Sequence, residues 1–190
     1  MPAVAAKKWL ITPEEYFDWE ETQETAHEYA YGEVFPMPGG TAEHFIIIGN
    51  WVRLLGNALL DAGATVFPDG MRVQIHDERY VYPDVSVVME PTQFRDESRR
   101  VLTNPTVVIE VLSESTAAYD RGEKFALYRE VESLRDIVWI DSERRWAEVA
   151  SRTNGVWTLP GPITNDQIEL PSLELTISFD DLYRGVDELA

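Results

Sequence analysis

The chain of 190 residues has no cysteine. This absence excludes disulfide bonds, thiolate metal ligands and cysteine nucleophiles, so any chemistry must come from other side chains. It also fits a reducing compartment, and we expect the protein to act in the cytoplasm. The longest apolar region, residues 45–60, is too short and too polar to span a bilayer. We therefore expect no membrane partner and, because the N-terminus has no apolar core, no signal peptide.

Lysine is the next scarce residue. Of the 16 basic residues, 13 are arginine and three are lysine. Lys7 and Lys8 fall within residues 1–10, which we expect to form a flexible tail. Lys124 is then the one lysine of the folded body. A bias toward arginine explains this as well as a function does, so the position of Lys124 has to decide.

Basic residues are fewer than acidic ones, 16 against 34, and the net charge is −18. Proteins that bind nucleic acid usually carry a basic surface, so this balance opposes such a partner unless a local basic patch or bound cations supply the attraction. The rest of the composition is ordinary for a globular protein, with 44% hydrophobic and 26% charged residues. No repeat or linker interrupts residues 11–190, and we predict that they form a single domain.

The spacing of apolar, capping and turn residues predicts a mixed order of helices and strands. In chain order, the predicted elements are a helix over 12–20, a hairpin over 27–37, a helix from 41 to 63, strands over 65–76 and 80–89 joined by a turn at 77–79, a charged loop over 90–104, a strand over 106–112, a helix over 115–132, meander strands over 136–141, 146–151 and 156–159, an edge strand over 170–177 and a helical turn over 179–183. This order indicates a mixed α/β sheet covered by helices. It lacks the regular alternation and glycine-rich turn of a dinucleotide-binding fold.

Two carboxylates interrupt strands that are otherwise almost entirely apolar. Asp84 lies in Val81-Tyr-Pro-Asp84-Val-Ser-Val-Val-Met89, and Glu110 lies in Val107-Val-Ile-Glu110-Val-Leu112, a run typical of a central, doubly covered strand. An unpaired carboxylate there costs on the order of several kcal/mol, so each needs a cation, hydrogen-bond donors or a proton. Pro83 cannot donate to a strand ladder. Its strand is therefore an edge or first pairs after this residue, which leaves Asp84 near an opening.

A buried salt bridge or a loop cap explains one such carboxylate. Two on successive strands converge if the strands are neighbours, and a hard divalent cation would then neutralise both, with the Val111 carbonyl as a further oxygen ligand. The helix that follows carries a stripe formed by Ala117, Arg121, Lys124, Tyr128 and Val131. This stripe should pack on the sheet and direct the ammonium of Lys124 toward the strand ends. The alternative for Lys124 is a local pair with Asp120, four residues earlier.

The pair Pro83-Asp84, followed by Glu110-Val111-Leu112, resembles the signature of the PD-(D/E)XK nuclease superfamily. Across Glu110-Val-Leu-Ser-Glu-Ser-Thr116 and Asp120-Arg-Gly-Glu-Lys124-Phe-Ala-Leu-Tyr128, the chain is similar to the Uma-type family of restriction-endonuclease-like domains, and the likeness covers residues 12–186. One position departs from the superfamily pattern, because Leu112 stands where a lysine is usual. The Uma-type pattern moves the amine to the following helix, which matches Lys124.

The resemblance implies an α-β-β-β-α-β core, here extended by an N-terminal helix and hairpin and by a C-terminal β-meander. It implies Mg²⁺ or Mn²⁺ as cofactor and DNA phosphodiesters as substrate. Asp84, Glu110 and the Val111 carbonyl would hold the metal, and Lys124 would complete the catalytic centre. We consider Glu28, His44 and Asp120 as accessory residues and Arg72 and Arg121 as phosphate contacts. The alternative for His44 is an ordinary capping or partly exposed residue. The alternative for Arg72 and Arg121 is an ordinary solvated arginine.

Two other function classes stay open. The acidic balance favours a catalytically inactive nucleic-acid or protein-binding module on a nuclease fold, and the same carboxylates would suit a hydrolase of another phosphoester. Metal binding that depends on Glu110 separates an enzyme from the inactive module, and incubation with plasmid, single strands and nucleotides identifies the substrate. Trp146 and Trp157 allow a homodimer face, although core packing explains them equally well.

Overall fold

A computed structural model describes residues 10–37, 39–114, 116–186 and 188–189. The predicted flexible tail, residues 1–10, lies outside this part of the chain except for Leu10, which is exposed. The elements in chain order are α1 (Pro13–Glu20), β1 (His27–Ala30), β2 (Glu33–Pro36), α2 (Ala42–Ala58), β3 (Ala64–Pro68), β4 (Arg72–His76), β5 (Arg79–Val81), β6 (Val85–Met89), β7 (Val101–Leu102), β8 (Val107–Leu112), α3 (Ala117–Tyr119), a π-helical turn (Asp120–Lys124), α4 (Phe125–Tyr128), β9 (Asp136–Asp141), β10 (Ala147–Thr153), β11 (Val156–Thr158), β12 (Gln167–Leu170), a 3-10 turn (Pro171–Leu173), β13 (Leu175–Ser178) and α5 (Phe179–Leu182).

The strands form two mixed sheets and a hairpin. The five-stranded sheet has the order β2-β1-β5-β4-β7, the six-stranded sheet has the order β11-β10-β9-β8-β6-β3, and β12 pairs with β13 alone. Neighbours are antiparallel except for β8 with β9 and β4 with β7, which run parallel. The predicted order α-β-β-β-α-β is present as α2, β3, β6, β8, the helical segment 117–128 and β9. The predicted mixed α/β fold is confirmed.

The six-stranded sheet forms the central layer and is covered on both faces. On one face, α2 packs Ile47, Trp51 and Leu55 against the strands. On the other face, Tyr128 of α4 joins an apolar cluster that also contains side chains of the five-stranded sheet. All six residues of β8 are buried, as predicted for a central strand. A polar side chain on this strand is therefore enclosed by packed layers.

The first two helices begin at the predicted capping residues. The Thr12 hydroxyl accepts a hydrogen bond from the Glu15 N–H, and the Glu15 carboxylate accepts one from the Thr12 N–H. This capping box satisfies two backbone donors at the start of α1. The Thr41 hydroxyl caps α2 by accepting from the His44 N–H.

The second helix is shorter than predicted. It ends at Ala58 instead of Gly63, because the chain reverses here to enter β3, and Gly63 takes a φ of +62° in that reversal. This helix is predicted by apolar residues spaced three and four apart: Phe45, Ile48, Val52, Leu55 and Leu59. Phe45 is nevertheless 52% exposed. The buried face is centred on Trp51, so Phe45 lies beside it.

The two long strands predicted over 65–76 and 80–89 are wrong as single strands. Each divides between the two sheets, with β3 and β6 in the six-stranded sheet and β4 and β5 in the five-stranded sheet. Gly70, with a φ of +97°, allows the first break, and Pro83, which has no N–H for a ladder, lies in the second. Since β6 lies between β8 and β3, it is not an edge strand, and its pairing begins after Pro83. Asp84 therefore lies where the chain passes from one sheet to the other.

Three smaller predictions are also corrected. Arg79, predicted in a turn, opens β5 and is buried between neighbouring strands. The predicted charged loop over 90–104 contains β7, which pairs with β4. The predicted edge strand over 170–177 is the separate hairpin of β12 and β13, because Leu170 enters the 3-10 turn and Glu174 takes a φ of +54°.

The helix predicted over 115–132 is shorter and has an irregular centre. Residue 115 lies outside the described residues, and the helical segment ends at Tyr128. Its central turn, Asp120–Lys124, is π-helical, which widens the helix locally. Asp120 and Lys124, four residues apart, lie on one face and are both buried, whereas Arg121, predicted on the same stripe as Lys124, has a 46% exposed side chain.

The late strands agree with the predicted meander. β9, β10 and β11 are consecutive antiparallel neighbours. Trp146 and Trp157 are half-buried and pack against the apolar cluster around Tyr128. This packing supports their assignment to the core. Within the part of the chain that the structure describes, no helix is long and apolar enough to cross a membrane.

Leu55 and Leu60 provide a test of this packing. Leu55 is fully buried beneath α2, whereas Leu60 is 80% exposed. Leu55→Ala should lower the free energy of unfolding by about 2–5 kcal/mol, because it leaves a cavity against the sheet. Leu60→Ala should change it by no more than about 0.5 kcal/mol. Urea unfolding measures both, and equal effects would contradict the assigned position of α2.

Candidate active site

Side chains from both sheets and two helical segments meet where the chain passes between the sheets. The structure brings together six residues predicted from the sequence: Glu28, His44, Asp84, Glu110, Asp120 and Lys124. We call this group the acidic cluster. Four members are carboxylates, and all four are buried.

Lys124 occupies the centre of the acidic cluster. Its Nζ lies 2.9 Å from Oε1 of Glu110, 3.2 Å from Oε1 of Glu28 and 3.8 Å from Oδ1 of Asp120. It also donates a hydrogen bond to the Tyr82 carbonyl at 3.3 Å. Burial acts to lower the pKa of Lys124, but the charges of Glu110 and Glu28 outweigh it and raise the pKa well above its usual range. The local pair with Asp120 is thus the longest contact of a larger ion cluster.

Glu110 projects from the central strand toward Lys124. Val107, Ile109 and Val111 face the α2 side of the sheet, while Val108 and Leu112 face the α4 side, so alternation directs Glu110 toward α4. Its Oε1 accepts hydrogen bonds from Lys124 and from the Tyr128 hydroxyl. Burial raises the pKa of Glu110 well above its usual range, and Lys124 opposes that rise.

Leu112 occupies the position at which the superfamily pattern has a lysine. It lies on the same face of β8 as Glu110, but it is 3% exposed and packs in the apolar cluster with Tyr128. The amine instead approaches Glu110 from the π-helical turn that covers this face. In this chain, a lysine therefore contacts Glu110 although it comes from a different element than the superfamily pattern predicts.

Asp84 and His44 form a second contact group in the acidic cluster. Oδ2 of Asp84 accepts a hydrogen bond from the Val111 N–H at 2.6 Å, and Oδ1 lies 3.2 Å from Nε2 of His44. Burial acts to lower the pKa of His44, but hydrogen bonding and the charge of Asp84 raise it overall, and the backbone of Val111 adds to the rise.

Gly40 leaves the space in which this histidine ring lies. A Cβ atom at Gly40 would stand 2.5 Å from Cδ2 of His44, closer than a nonbonded contact allows. His44 cannot move aside without losing its contact with Asp84. The glycine at this position is thus required by the position of the ring.

Three residues that sequence reasoning missed complete the surroundings of Glu28 and Glu110. The Tyr119 hydroxyl donates to Oε2 of Glu28 at 2.7 Å, and Nη2 of Arg79 donates to the Tyr119 hydroxyl at 2.6 Å. Tyr128 contacts Glu110, and its position four residues after Lys124 was a usable signal. No local pattern identifies Arg79 or Tyr119, because their contact depends on how the two sheets pack.

The two arginines predicted as phosphate contacts lie outside the acidic cluster. Arg72 is buried between α1 and the five-stranded sheet, where Nε donates to the Tyr82 hydroxyl at 2.9 Å. Arg121 binds Glu148 at 2.6 Å and stacks over Trp146. The structure gives neither arginine a contact with Asp84, Glu110 or Lys124.

The donor chemistry of the acidic cluster fits a hard divalent cation. Four carboxylates face one lysine and one histidine, and the Val111 carbonyl adds a neutral oxygen donor. Among the described residues, however, no three histidine, aspartate or glutamate side chains stand close enough to hold an ion by themselves. Asp84 is bound by His44 and Val111, and Glu110 by Lys124 and Tyr128. Metal ligation therefore requires these carboxylates to exchange partners.

The sheet order and the buried Asp, Glu and Lys side chains together define a restriction-endonuclease-like protein. The chain belongs to the Uma2 family, described as "Putative restriction endonuclease", whose model matches residues 13–180. The Uma-type family, predicted from the motif between Glu110 and Tyr128, is confirmed.

Two uncharacterized proteins of Synechocystis sp. are similar to the chain. One, slr1290, is 36% identical over 179 residues, which span 93% of each chain. The other, sll1609, is 37% identical over 142 residues, which span 74% of this chain and 80% of that protein. A crystal structure described as "a putative nuclease belonging to DUF820", from Anabaena variabilis, has a TM-score of 0.73 at 21% identity and covers 92% of this chain and 98% of its own. This likeness supports the predicted fold.

The contact between His44 and Asp84 predicts a pH dependence. Protonated His44 stabilises the folded state, so this contribution is full below about pH 6.5 and is lost as the pH rises through the raised pKa of the folded state. Asp84→Asn should lower the pKa of His44, because burial then dominates. NMR titration of the histidine ring protons without metal measures this, and an unchanged pKa would contradict the contact.

Proposed function

We propose that this protein is a metal-dependent nuclease that hydrolyses DNA phosphodiester bonds. Asp84, Glu110 and Lys124 are its catalytic residues. The observation that supports this most strongly is the ammonium of Lys124, 2.9 Å from the carboxylate of Glu110 inside the sheet and beside the strand that begins after Asp84. Buried ionic groups at such a position are costly, and a site for chemistry accounts for their presence better than packing does.

Each residue has a role that follows from its contacts. Asp84, Glu110 and the Val111 carbonyl hold Mg²⁺ or Mn²⁺, which when bound supplies Lewis acidity toward a phosphate oxygen and a water. The Val111 N–H fixes the orientation of Asp84, and Tyr128 fixes that of Glu110. His44 contacts Asp84, so it is suited to complete the ligand set.

Lys124 acts as a donor and a positive charge. Because Glu110 and Glu28 raise its pKa, it stays protonated at neutral pH and is unsuited to remove a proton. It orients the attacking water and offsets negative charge as the phosphate is attacked. Glu28 and Asp120 position its ammonium. With a net charge of −18, the protein relies on such local cations to approach a polyanion.

Substitution of the catalytic residues tests the activity. Asp84→Asn, Glu110→Gln and Lys124→Arg should each lower metal-dependent cleavage of plasmid and linear DNA by about 100-fold or more, because each removes a metal ligand or displaces the charged donor. Nucleotides and other phosphoesters are assayed in parallel. Full activity in all three variants would reject the assignment, and cleavage of the small phosphoesters alone would reject DNA as substrate.

Asp136→Asn is the matched control for these variants. Asp136 is also a buried carboxylate on the six-stranded sheet, but it pairs with Val107 at the opposite end of β8 and binds Ser172. It should keep cleavage activity at temperatures where it remains folded, even if its free energy of unfolding is lower. A loss of activity equal to that of Glu110→Gln would indicate that general damage to the fold explains both.

Metal binding tests the centre independently of cleavage. Calorimetry should show that Mn²⁺ binds the unaltered chain and that Glu110→Gln weakens binding about tenfold or more, because a charged ligand is lost. The Asp136→Asn variant should bind like the unaltered chain. Absence of binding, or binding that ignores Glu110, would instead favour the non-catalytic module that the acidic composition suits.

A further inference from the structure

A cavity of about 500 Å³ lies beside the acidic cluster, between α1 and the five-stranded sheet. Tyr82 separates the two spaces: its carbonyl accepts from Lys124, while its side chain lines the cavity. The volume is in the range of small-molecule sites. A ligand in this cavity would therefore be separated from Lys124 only by Tyr82.

Arg72 is held in this cavity with its donors prearranged. It is 8% exposed, and its Cζ lies 4.9 Å, 5.0 Å and 5.3 Å from the ring centroids of Tyr16, Phe17 and Tyr82. Its Nε donates to the Tyr82 hydroxyl at 2.9 Å. The rings and this hydrogen bond fix the guanidinium, so little conformational entropy is lost when its remaining donors bind a ligand.

Within residues 10–37, 39–114, 116–186 and 188–189, the two terminal nitrogens of Arg72 form no hydrogen bond, and no carboxylate reaches ion-pair distance of them. They are also absent from the fully enclosed polar atoms that lack partners, so they are accessible to solvent. The Arg72 side chain lines the cavity. A nearly buried guanidinium thus presents two adjacent donor groups to an empty volume.

The charges around the cavity determine which ligand suits these donors. Four carboxylates, Glu20, Glu21, Glu24 and Asp96, line it together with Arg72 and Arg100. Arg100 is bound to Glu21, and Glu20 accepts from the Tyr82 hydroxyl and the His27 N–H. A phosphate would be repelled by this excess of negative charge. A neutral ligand with an acceptor edge for Arg72 and an opposite donor edge for carboxylates fits better.

We infer that the cavity binds an unpaired guanine base of the DNA substrate. Guanine presents the acceptors O6 and N7 side by side, which matches the fork of Arg72, and its N1–H and N2–H₂ donors suit a carboxylate such as Glu24. Adenine replaces one acceptor by a donor, and arginine has no acceptor. The inference rests on the proposed function, since it identifies the base that the nuclease selects beside its cleavage site.

Binding of short single strands tests this on the unaltered chain without metal. Fluorescence anisotropy would compare oligothymidine strands with one central guanine, 7-deazaguanine, adenine or cytosine. The guanine strand should bind about tenfold more tightly than the others, because 7-deazaguanine lacks the N7 acceptor and the other bases lack the paired edge. Equal affinities, a preference for cytosine, or no measurable binding of any strand would overturn the inference.

Arg72→Lys should remove the guanine preference while leaving the general affinity for single strands, because the charge remains but the fork is lost. Arg129→Lys is the matched control, since Arg129 also stacks on an aromatic ring, Phe125, but lies outside the cavity. It should keep the preference. Cleavage assays on the same proteins and strands after addition of Mn²⁺ separate the two proposals: a guanine preference without cleavage rejects the nuclease alone, and cleavage without any preference rejects the guanine site alone.

Discussion

The ammonium group of Lys124 joins three parts of the fold through buried charge. Glu28 comes from the five-stranded sheet, Glu110 from the six-stranded sheet and Asp120 from the π-helical turn, and each contacts the same nitrogen. Carboxylates in these positions would be unstable alone, because the surrounding layers exclude water. The two sheets and the π-helical turn can therefore pack in this way only if Lys124 lies between their carboxylates.

This dependence couples stability to the proposed chemistry. Removing one partner from a buried ion cluster leaves an uncompensated charge and costs about 3–5 kcal/mol, whereas a well-packed apolar set would avoid that cost. Such apolar packing is compatible with this part of the sheet, because Leu112, on the same face of β8 as Glu110, is itself buried. Five buried charged residues meet at one junction between the sheets, namely Glu28, Asp84, Glu110, Asp120 and Lys124, whereas Arg72 and Asp136 are buried elsewhere. Such a group is the pattern expected when a site for chemistry is retained at the expense of stability, which agrees with the proposed function.

Local signals in the sequence found the residues that break a pattern. Asp84 and Glu110 stand out because apolar residues flank them, and Thr12 and Thr41 mark helix starts because capping is a local interaction. The split of the long strands was missed, since Gly70 and Pro83 only become decisive once two sheets compete for the same segment. Arg79 and Tyr119 were missed for the same reason, because their contacts join residues far apart in sequence. For Arg72 the sequence left a phosphate contact and a solvated arginine as alternatives, because its buried setting among aromatic rings depends on tertiary packing.

The π-helical turn has a consequence for how the chain can vary in length. A π turn holds one more residue than an α turn over the same helical segment, so the flanking α3 and α4 keep the faces that a continuous helix would give them. Loss of one residue inside this turn would be absorbed by a return to regular α geometry. Loss of one residue between Lys124 and Tyr128, where the helix is regular, would instead rotate Tyr128 by about 100° around the helix axis relative to Lys124. Either Lys124 would then leave Glu110 or Tyr128 would leave the apolar cluster. The spacing from Lys124 to Tyr128 therefore tolerates substitution at its exposed positions far better than a change in residue number.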